Sequence, residues 1–473
     1  MRITGNTILR FCVVMVSLFV FVIVAVSKEY NVMDFGAKAD GTTLDSPAIN
    51  AAICQAEKDG GGTIMLPNGK YLCGSIRMKS NVELHLDAGT IIIAAPNEMG
   101  AYDKSEDFNF PEYQDGGHTY FHNSLIWGEN LENVSITGRG IIKGENLTRF
   151  DTETHGQVHG GSIGKADKAI ALKLCKNVLI KDLTILQGGH FAIIVTGCDN
   201  VNMDNLIIDT NRDGIDIDCC RFTTVSNCKI NSPRDDAIVL KSSYALKKAV
   251  ICDNIMITNC VVTGFLDGTM YDRTYRPAIN QNNSGRIKLG TESNGGYRNV
   301  TISNCTCLYS DGLAFECVDQ GVMENIVVSN ITMDYVHHYP IFIATACRNR
   351  GPKEITKPST AQGISISNVV ADHCEDMGGM IITGMANAPL KNISLSDITM
   401  HFAGGGAEED RNIVYPEIGT KYPEPSFNLG RCPAYGLFVR YVDGLKMKNV
   451  NFKLDSPDSR EPMILEHCHE VVY

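Results

Sequence analysis

A short unit of alternating apolar and polar residues repeats along the chain from Asn133 onward. In each copy Val, Ile, Leu or Met alternate with polar residues, and Asn or Asp and a second apolar pair follow. Where nothing is inserted the copies lie close together, with 22 residues from Asn205 to Asn227 and 26 from Asn299 to Asn325. This period is too short for strand–helix–strand units, so it predicts an all-β solenoid of stacked parallel strands. The recurring Asn suits sharp corners, either in left-handed geometry or as an Asn ladder.

The chain before the repeat predicts a cap for the first coil. Residues 45–47 (Asp-Ser-Pro) combine a capping side chain with an early Pro, which marks the start of a helix. The apolar face of this helix consists of Ala48, Ile49, Ala52, Ile53 and Ala56. Strands are expected at residues 63–66 and 82–86. We therefore expect a single domain at residues 28–473, in which residues 28–95 form an N-terminal capping helix and the first coils.

Five stretches that break the repeat locate its loops: residues 98–122, 145–168, 265–285, 347–362 and 403–436. Long excursions from a repeat usually build its binding face. The first three flank, in sequence, two acidic turns that are described below. We therefore expect those three excursions to form the walls of a cleft.

Residues 1–27 have the pattern of a targeting segment. Arg2 and Arg10 precede an apolar run at 11–26, and residues 25–27 (Ala-Val-Ser) resemble a small-residue cleavage site. An uncleaved membrane anchor is the alternative, but the run is short for a span of about 20 residues. The segment predicts export with cleavage. The mature protein would then be secreted or periplasmic, without a membrane contact.

The charge and the cysteines narrow the classes of partner. The net charge is −12, and removing the two Arg of residues 1–27 makes it −14. Such a chain is a poor nucleic-acid binder, and an acidic polymer would have to be held by local Lys or Arg. Sixteen of the 17 Cys lie after residue 27 without paired CxxC spacing, so they do not indicate zinc. They suit small buried apolar positions; an exported protein can also form disulfides, whose pairing the spacing does not reveal.

Two acidic turns occupy matching places in consecutive copies of the repeat. Asp213 and Asp235 each lie eight residues after the Asn of their own copy, and His190 lies at the same place one copy earlier. If each copy is one coil, these positions form a column with strands about 4.8 Å apart. The carboxylates would then lie roughly 5–9 Å apart, which is the range that glycosidases use.

Three acids, Asp213, Asp235 and Asp236, would fall within one coil step. Glycoside hydrolysis needs a carboxylic acid that protonates the leaving oxygen and a carboxylate that activates water or attacks. Neighbouring like charges raise at least one pKa, which keeps an acid protonated. The alternative is plain turn chemistry, because Asp-Gly and Pro-x-Asp-Asp are ordinary turn sequences. Two turns in phase, with His190 also in phase, favour an active site.

The chain resembles glycoside hydrolase family 28, the polygalacturonases and their relatives, over nearly all of residues 28–473. The resemblance includes NVMDFGAKADG near the N-terminus, NVSITGRGIIKG at Asn133, NRDGIDID at Asn211 and DDAIVLKSS at Asp235. It implies a right-handed parallel β-helix and inverting hydrolysis without metal or other cofactor. It also implies that Asp235 is the general acid and that Asp213 and Asp236 orient the water.

The chain departs from the endo-acting pattern of that family in two places. It has Gly285-Arg286-Ile287 where those members have Gly-His-Gly, and Ala314-Phe315-Glu316 where they have Arg-Ile-Lys. By contrast, LGTESNGG from Leu289 resembles a segment of exo-acting members. The resemblance therefore implies a divergent, exo-acting, monomeric enzyme that cleaves α-galacturonosyl linkages of (rhamno)galacturonan in pectin or its oligosaccharides.

An acidic sugar would still need a cation in this site, since burying a carboxylate without a partner is costly. Strand alternation places Arg286 and Lys288 on one face, and Arg286 is the best candidate because its planar fork can hold a carboxylate through two hydrogen bonds. Alternatively, both cations only balance Glu292, Glu316 or Asp319. The candidate substrate-binding residues are His190, Asn211, Lys241, Arg286, Lys288 and Glu292.

Two other functions are compatible with a solenoid. A calcium-dependent polysaccharide lyase could use the acidic cluster, with Arg212 or Arg234 as the base. The acids of that cluster are Asp209, Asp213, Asp216, Asp218, Asp235 and Asp236. Strand alternation prevents all six from converging. A non-catalytic carbohydrate-binding solenoid is the other alternative, because a fold does not fix a function.

Overall fold

The computed structural model describes residues 28–106, 116–148, 164–210, 212–278, 284–352 and 356–473. The predicted targeting segment and the candidate Asn211 lie outside the described residues. Thirty-two parallel strands join into one continuous sheet that winds into stacked coils, as the repeat predicts. Within the described residues, no helix has the length and apolar character to cross a bilayer.

The strands form three parallel ladders, one on each face of the solenoid. The first ladder contains Glu29–Asn31, Gly62–Leu66, Val82–Leu86, Glu132–Gly138, Lys176–Lys181, Asp199–Asp204, Arg221–Ser226, Cys252–Thr258, Gly296–Leu308, Val322–Asp334, Thr360–Cys374, Leu390–Phe402 and Ala434–Leu454. The second ladder contains Asp40–Leu44, Gly69–Cys73, Thr90–Ala94, Ile141–Lys143, Thr184–Leu186, Ile207–Asp209, Lys229–Asn231 and Val261–Thr263, and continues in the second halves of the later long strands. The third ladder contains Ile76–Arg77, Ile126–Glu129, Lys168–Lys173, Phe191–Thr196, Asp213–Asp218, Ile238–Ser242, Ile287–Ser293, Leu313–Cys317, Ile341–Thr345 and Met380–Thr383, the first part of Ala434–Leu454, and Glu461–His469.

One long helix covers the N-terminal end of the coils. It spans Ser46–Lys58 and buries Ile49, Ala52, Ile53 and Ala56, which confirms the predicted cap. The side chain of Asp45 does not cap this helix; it accepts the backbone N–H groups of Lys38 and Ala39 at 2.7 and 2.9 Å, because the preceding turn brings them closer. The remaining helices are short: Pro425–Asn428, and the 3-10 turns Val32–Phe35, Asn97–Met99, Gly116–His118 and Glu408–Asn412.

The recurring Asn residues occupy the corners in left-handed geometry, as predicted. Asn133, Asn177 and Asn200 have φ values of 57°, 55° and 57°. Their amides also form a ladder, because Asn177 donates to Asn133 and Asn200 donates to Asn177, both at 2.9 Å. Each corner thus combines a backbone shape that Asn tolerates with a hydrogen bond between coils.

A continuous apolar core fills the inside of the solenoid. The Cys residues of 28–473 are free thiols, and most are buried in or beside this core, which agrees with their predicted role as small apolar residues. Several of them stack along the axis; the backbone N–H of Cys175, for example, points at the sulfur of Cys198 at 3.4 Å.

The outward face of the third ladder is covered at both ends. Toward the C-terminus, residues 403–433 fold back over it, and Tyr415, Ile418 and Leu429 pack with outward residues such as Phe342 and Ile381. We call this segment the C-terminal wall. Toward the N-terminus, Phe121 packs with Ala171, Phe191 and Ile194. Between these two covered stretches lie Asp213–Asp218, Ile238–Ser242 and Ile287–Ser293.

Four of the five excursions leave the solenoid at one corner, between the second and third ladders. These are residues 98–122, 145–168, 265–285 and 403–436, and both acidic turns lie at the same corner. Residues 347–362 leave at the next corner, after Ile341–Thr345. The fold therefore concentrates its insertions around the acidic turns.

Candidate active site

Three carboxylates converge at this corner. One oxygen from each of Asp213, Asp235 and Asp236 lies within 4.8 Å of the others. Asp213 begins the strand Asp213–Asp218, and the other two lie in the turn that precedes Ile238–Ser242. The sequence therefore identified three acids that the fold does bring together.

The predicted column is wrong in its register by one residue. Asp213 pairs with Phe191, not with His190. The pairing of Ile215 with Ile238 places Asp213 level with Asp236 rather than with Asp235. Counting along the repeat assumed equal turns, but the turns between the second and third ladders differ in length by one residue from coil to coil.

Asp236 is buried and surrounded by donors. Its Oδ1 accepts hydrogen bonds from Arg286 Nε at 2.8 Å and Ser284 Oγ at 3.1 Å, and Lys288 Nζ lies 3.4 Å from Oδ2. Burial alone would raise the pKa of Asp236, but Lys288, Arg286 and Lys241 bring it well below its usual range. Asp236 is therefore ionised.

Asp213 has the opposite environment. It is 2% exposed, and burial, together with the charges of Asp235 and Asp216, raises its pKa well above the usual range. Asp235 is the accessible member of the three, with 30% of its side chain exposed. Arg212 Nε donates to Asp235 Oδ2 at 2.9 Å, and its guanidinium also lies 3.8 Å from Asp213. The three acids thus differ: Asp213 is buried with a raised pKa, Asp236 is buried with a lowered pKa, and Asp235 is accessible.

The candidate cations lie in the site, and each already holds an acidic partner. Lys241 Nζ donates to Glu292 at 2.9 Å, and Lys288 lies 3.5 Å from Glu316. Burial would raise the pKa of Glu292, but Lys241 and Arg348 lower it to about 2. The contact of Lys288 with Glu316 matches the predicted alternative, in which Arg286 and Lys288 balance Glu292, Glu316 or Asp319, whereas Glu292 pairs with Lys241 instead.

The nitrogens of the Arg286 guanidinium also donate hydrogen bonds to acidic partners. Its two terminal nitrogens donate to Glu424 at 3.1 and 2.7 Å, while Nε donates to Asp236. The neighbouring Ile287 and Leu289 point into the core, as strand alternation predicts. Binding of a substrate carboxylate by Arg286 stays a prediction, but one that would require a buried ion pair with Glu424 to open.

His190 lies behind Arg212. It is 1% exposed, its ring packs on Phe191 at 4.3 Å between centroids, and its Nδ1 lies 3.4 Å from Arg212 NH1. It is not among the side chains that line the pocket described below. A sugar contact by His190 stays a prediction, and the structure supports an indirect contribution through Arg212.

The remaining acids of the cluster occupy separate places. Asp216 and Asp218 flank the buried His118 at 3.6 Å each. Asp209 accepts the backbone N–H groups of Gly268 and Tyr271 at 3.0 and 2.8 Å. The six acids of the lyase alternative are therefore divided among three surroundings, and protein cations already contact the three that converge.

A pocket opens above the three carboxylates. It is lined by Arg212, Asp213, Asp235, Asp236, Lys241, Lys288, Thr291, Glu292, Arg350 and Tyr422. A neighbouring pocket shares Asp235, Lys288 and Tyr422 and adds Arg234, Ser284, Arg286, Asp311, His338, Glu424 and Ser426. The predicted binding residues Lys241, Lys288 and Glu292 line the first pocket.

Sequence reasoning missed Thr291, Arg350, Tyr422 and Glu424. The walls are expected from the first three excursions, and residues 265–285 do contribute Ser284 to the neighbouring pocket. Tyr422 and Glu424, however, come from the C-terminal wall, and Arg350 comes from residues 347–362. The phase of the repeat could have identified the C-terminal wall, because that segment leaves at the same corner as the acidic turns. Arg350 leaves from a different corner and carries no such signal.

Comparison with known proteins agrees with this architecture. Residues 30–238 match a family model described as rhamnogalacturonase A/epimerase, pectate lyase-like, and residues 168–330 match a right-handed β-helix region. The prediction of a right-handed parallel β-helix is thereby confirmed. The two matches together extend from the N-terminal cap to beyond the three carboxylates.

Two similar proteins are polygalacturonases by name. A "Probable polygalacturonase" from Vitis vinifera is 24% identical over 405 residues, which are 79% of this chain and 74% of the relative. An exopolygalacturonase from Platanus acerifolia is 20% identical over 83% of this chain and 96% of its own length.

Solved structures of exopolygalacturonases have the same fold. The enzyme from Thermotoga maritima is 21% identical, with a TM-score of 0.66 over 90% of this chain and 92% of its own. The family 28 enzyme from Yersinia enterocolitica is 16% identical, with a TM-score of 0.68 over 94% and 78%.

Proposed function

We propose that this chain releases an acidic sugar from the end of a pectic chain. It belongs to the polygalacturonase family (glycoside hydrolase family 28) as a divergent member, and it is a glycosidase. The linkage would be an α-galacturonosyl bond of galacturonan or rhamnogalacturonan. Water would attack directly, so that the anomeric carbon is inverted. The observation that supports this most strongly is the convergence of three carboxylates in unequal environments.

Asp235 is the proton donor in this proposal. It is the exposed member of the three, so it alone can reach a glycosidic oxygen in the pocket. The buried Asp213 lies beside it and retains a proton to higher pH than an ordinary carboxyl. In this proposal Asp235 transfers its proton to the leaving oxygen.

Asp236 is the acceptor for the attacking water. Its charge is fixed by Arg286 and Lys288, and within the described residues its Oδ2 accepts no hydrogen bond. A buried carboxylate oxygen with an open acceptor site can orient a water molecule. Asp213 lies close enough to hold the same water from its other side.

This arrangement supports inversion even though the carboxylates are close. Inverting pairs are generally about 6.5–9.5 Å apart, whereas one oxygen from each of the three carboxylates here lies within 4.8 Å of the others. However, neither buried acid is a free nucleophile: burial raises the pKa of Asp213 well above its usual range, and Asp236 is held by Arg286 and Ser284. Water is then the remaining nucleophile, and its attack inverts the centre.

The covered ends of the third ladder support action at a chain end. The C-terminal wall covers the outward face on one side of the pocket, and the cluster around Phe121 covers it on the other. A long polymer lying along the solenoid axis would collide with both. A pocket between two walls suits a terminal sugar better than the middle of a chain.

Export through residues 1–27 belongs to the same proposal. Pectin is an extracellular polymer, so an enzyme that degrades it must reach the secreted or periplasmic space. The apolar run at 11–26, with Arg2 and Arg10 before it, supports such a route. The mature enzyme is proposed to act as a monomer.

Product analysis tests the function. Purified protein should release single sugars from the end of at least one member of a panel of galacturonan and rhamnogalacturonan fractions. Asp235→Asn should lower turnover roughly 10²–10⁴-fold because an amide cannot donate the proton, whereas the exposed Asp34→Asn should not. No release from any fraction, or a folded Asp235→Asn protein of normal activity, would refute the proposal.

A further inference from the structure

We propose that Arg350 receives the carboxylate of the terminal sugar and so determines specificity for an acidic residue at the chain end. This inference rests on the function proposed above. Arg350 lines the pocket together with Glu292, Thr291 and Tyr422, on the C-terminal side of the three carboxylates. It approaches from residues 347–352, which leave the solenoid after the strand Ile341–Thr345.

Among the described residues that line the pocket, Arg350 is the cation without an acidic partner. The other cations are committed, namely Arg212 to Asp235, Lys241 to Glu292, Lys288 to Asp236 and Glu316, and Arg286 to Asp236 and Glu424. The adjacent Arg348 is committed to Asp319. Within the described part of the chain, the Arg350 guanidinium forms no hydrogen bond or ion pair, and its side chain is exposed to the pocket.

The backbone of Arg350 is fixed from both sides. Its N–H donates to Asp319 Oδ1 at 2.9 Å, and its carbonyl accepts a hydrogen bond from the Asn294 amide at 2.6 Å. Asp319 is itself held by Arg348 Nε at 2.9 Å. A free guanidinium on an immobilised backbone is the arrangement that a specificity site requires.

The ion pairs of the described residues around the pocket leave the Arg350 guanidinium without a counter-charge. The three other cations that line the pocket, Arg212, Lys241 and Lys288, each contact a carboxylate, namely Asp235, Glu292 and Asp236. A sugar with a single carboxylate supplies the missing partner, and a guanidinium can hold it through two parallel hydrogen bonds. A neutral sugar would leave Arg350 without a counter-charge.

Binding of a monosaccharide tests the proposal without requiring turnover. D-galacturonate and the neutral D-galactose would be titrated by calorimetry into wild type, Arg350→Ala and Arg350→Lys, with the exposed Arg139→Ala as the matched control. Arg350→Ala should weaken galacturonate binding about 10- to 100-fold, the range for hydrogen bonds to a charged group. Arg350→Lys should lose less, because it keeps the charge but not the fork. Galactose binding should be the same in all variants, and Arg139→Ala should bind galacturonate as the wild type does.

Kinetics separate this proposal from the function on which it rests. With an active pectic substrate, Arg350→Ala should raise KM for the acidic form and leave KM for its carboxyl-reduced form unchanged. Equal losses on both forms, or unaltered galacturonate binding by a folded Arg350→Ala protein, would overturn the role of Arg350 and leave the hydrolase intact. Galacturonate binding that depends on Arg350, in a protein that hydrolyses no fraction, would support the site and overturn the hydrolase. If wild type does not bind galacturonate, the role of Arg350 is overturned whatever the hydrolysis shows.

Discussion

The ion pair between Arg286 and Glu424 joins the C-terminal wall to the active site, and its removal should be costly. Both side chains are less than one-tenth exposed, and two hydrogen bonds of 3.1 and 2.7 Å link them. Glu424→Gln removes the charge with little change in shape and leaves Arg286 buried with only part of its negative surroundings. Breaking one partner of a buried pair generally costs about 3–5 kcal/mol. We expect the lower end, about 3 kcal/mol, because Asp236 still faces Arg286.

Urea unfolding followed by far-UV circular dichroism measures this cost. The matched control is Glu132→Gln, which breaks the pair of Glu132 with Lys176 at a similar distance of 2.9 Å, but with side chains 59% and 62% exposed. Exposed pairs contribute at most about 1 kcal/mol. The same Glu424→Gln protein should also lose activity, because Arg286 orients Asp236. If Glu424→Gln costs no more than Glu132→Gln, the pair does not anchor the wall, and the structural basis for a closed pocket fails.

Three further changes test other parts of the structure. Burial raises the pKa of Asp216 to about 8, so the folded protein retains a proton that the unfolded chain loses, and stability falls as pH rises from about 4 to 8. In denaturation curves, Asp216→Asn should reduce that loss of stability by up to about 4 kcal/mol between pH 5 and 8. An unchanged dependence of stability on pH would contradict this expectation. His190→Ala should leave KM unchanged, because His190 acts through Arg212. It should lower kcat by roughly tenfold, which corresponds to the loss of about one hydrogen bond. A large rise in KM would instead mean that His190 contacts the sugar. Asn200→Ala should cost about 1–2 kcal/mol, since it loses the bond to Asn177 and strains a φ of 57°, and Asn200→Gly should cost less; equal losses would mean that the corner geometry contributes nothing.

The fold could be predicted from local pattern because a solenoid is built from local contacts. Each coil packs on its neighbours, so one repeat unit with alternating apolar residues and a corner Asn specifies the whole stack. The same reasoning placed Asp213, Asp235 and Asp236 together and set Ile287 and Leu289 inward. These features follow from a period and an alternation, both of which the sequence displays directly.

The features that escaped prediction depend on long-range geometry. A one-residue difference in turn length moved Asp213 level with Asp236, and nothing in the residue types reveals such a change. Glu424 lies 138 residues from Arg286, yet it accepts hydrogen bonds from both terminal nitrogens of that cation, so Arg286 is less available than its sequence context suggests. Arg350 enters the pocket from another corner, and the sequence does not reveal that its guanidinium has no acidic partner among the described residues.

The anomeric form of the first product is the measurement that bears most directly on the three-carboxylate mechanism. Proton NMR during the first minutes of hydrolysis of an α-linked galacturonic oligosaccharide reads the configuration before mutarotation obscures it. Since burial raises the pKa of Asp213 and Asp236 is held by Arg286 and Ser284, water is the expected nucleophile. The fresh product should therefore appear as the β-anomer and only later equilibrate with the α-anomer. An initial α-anomer would mean that a carboxylate attacks the sugar, and it would contradict the roles assigned to Asp213 and Asp236.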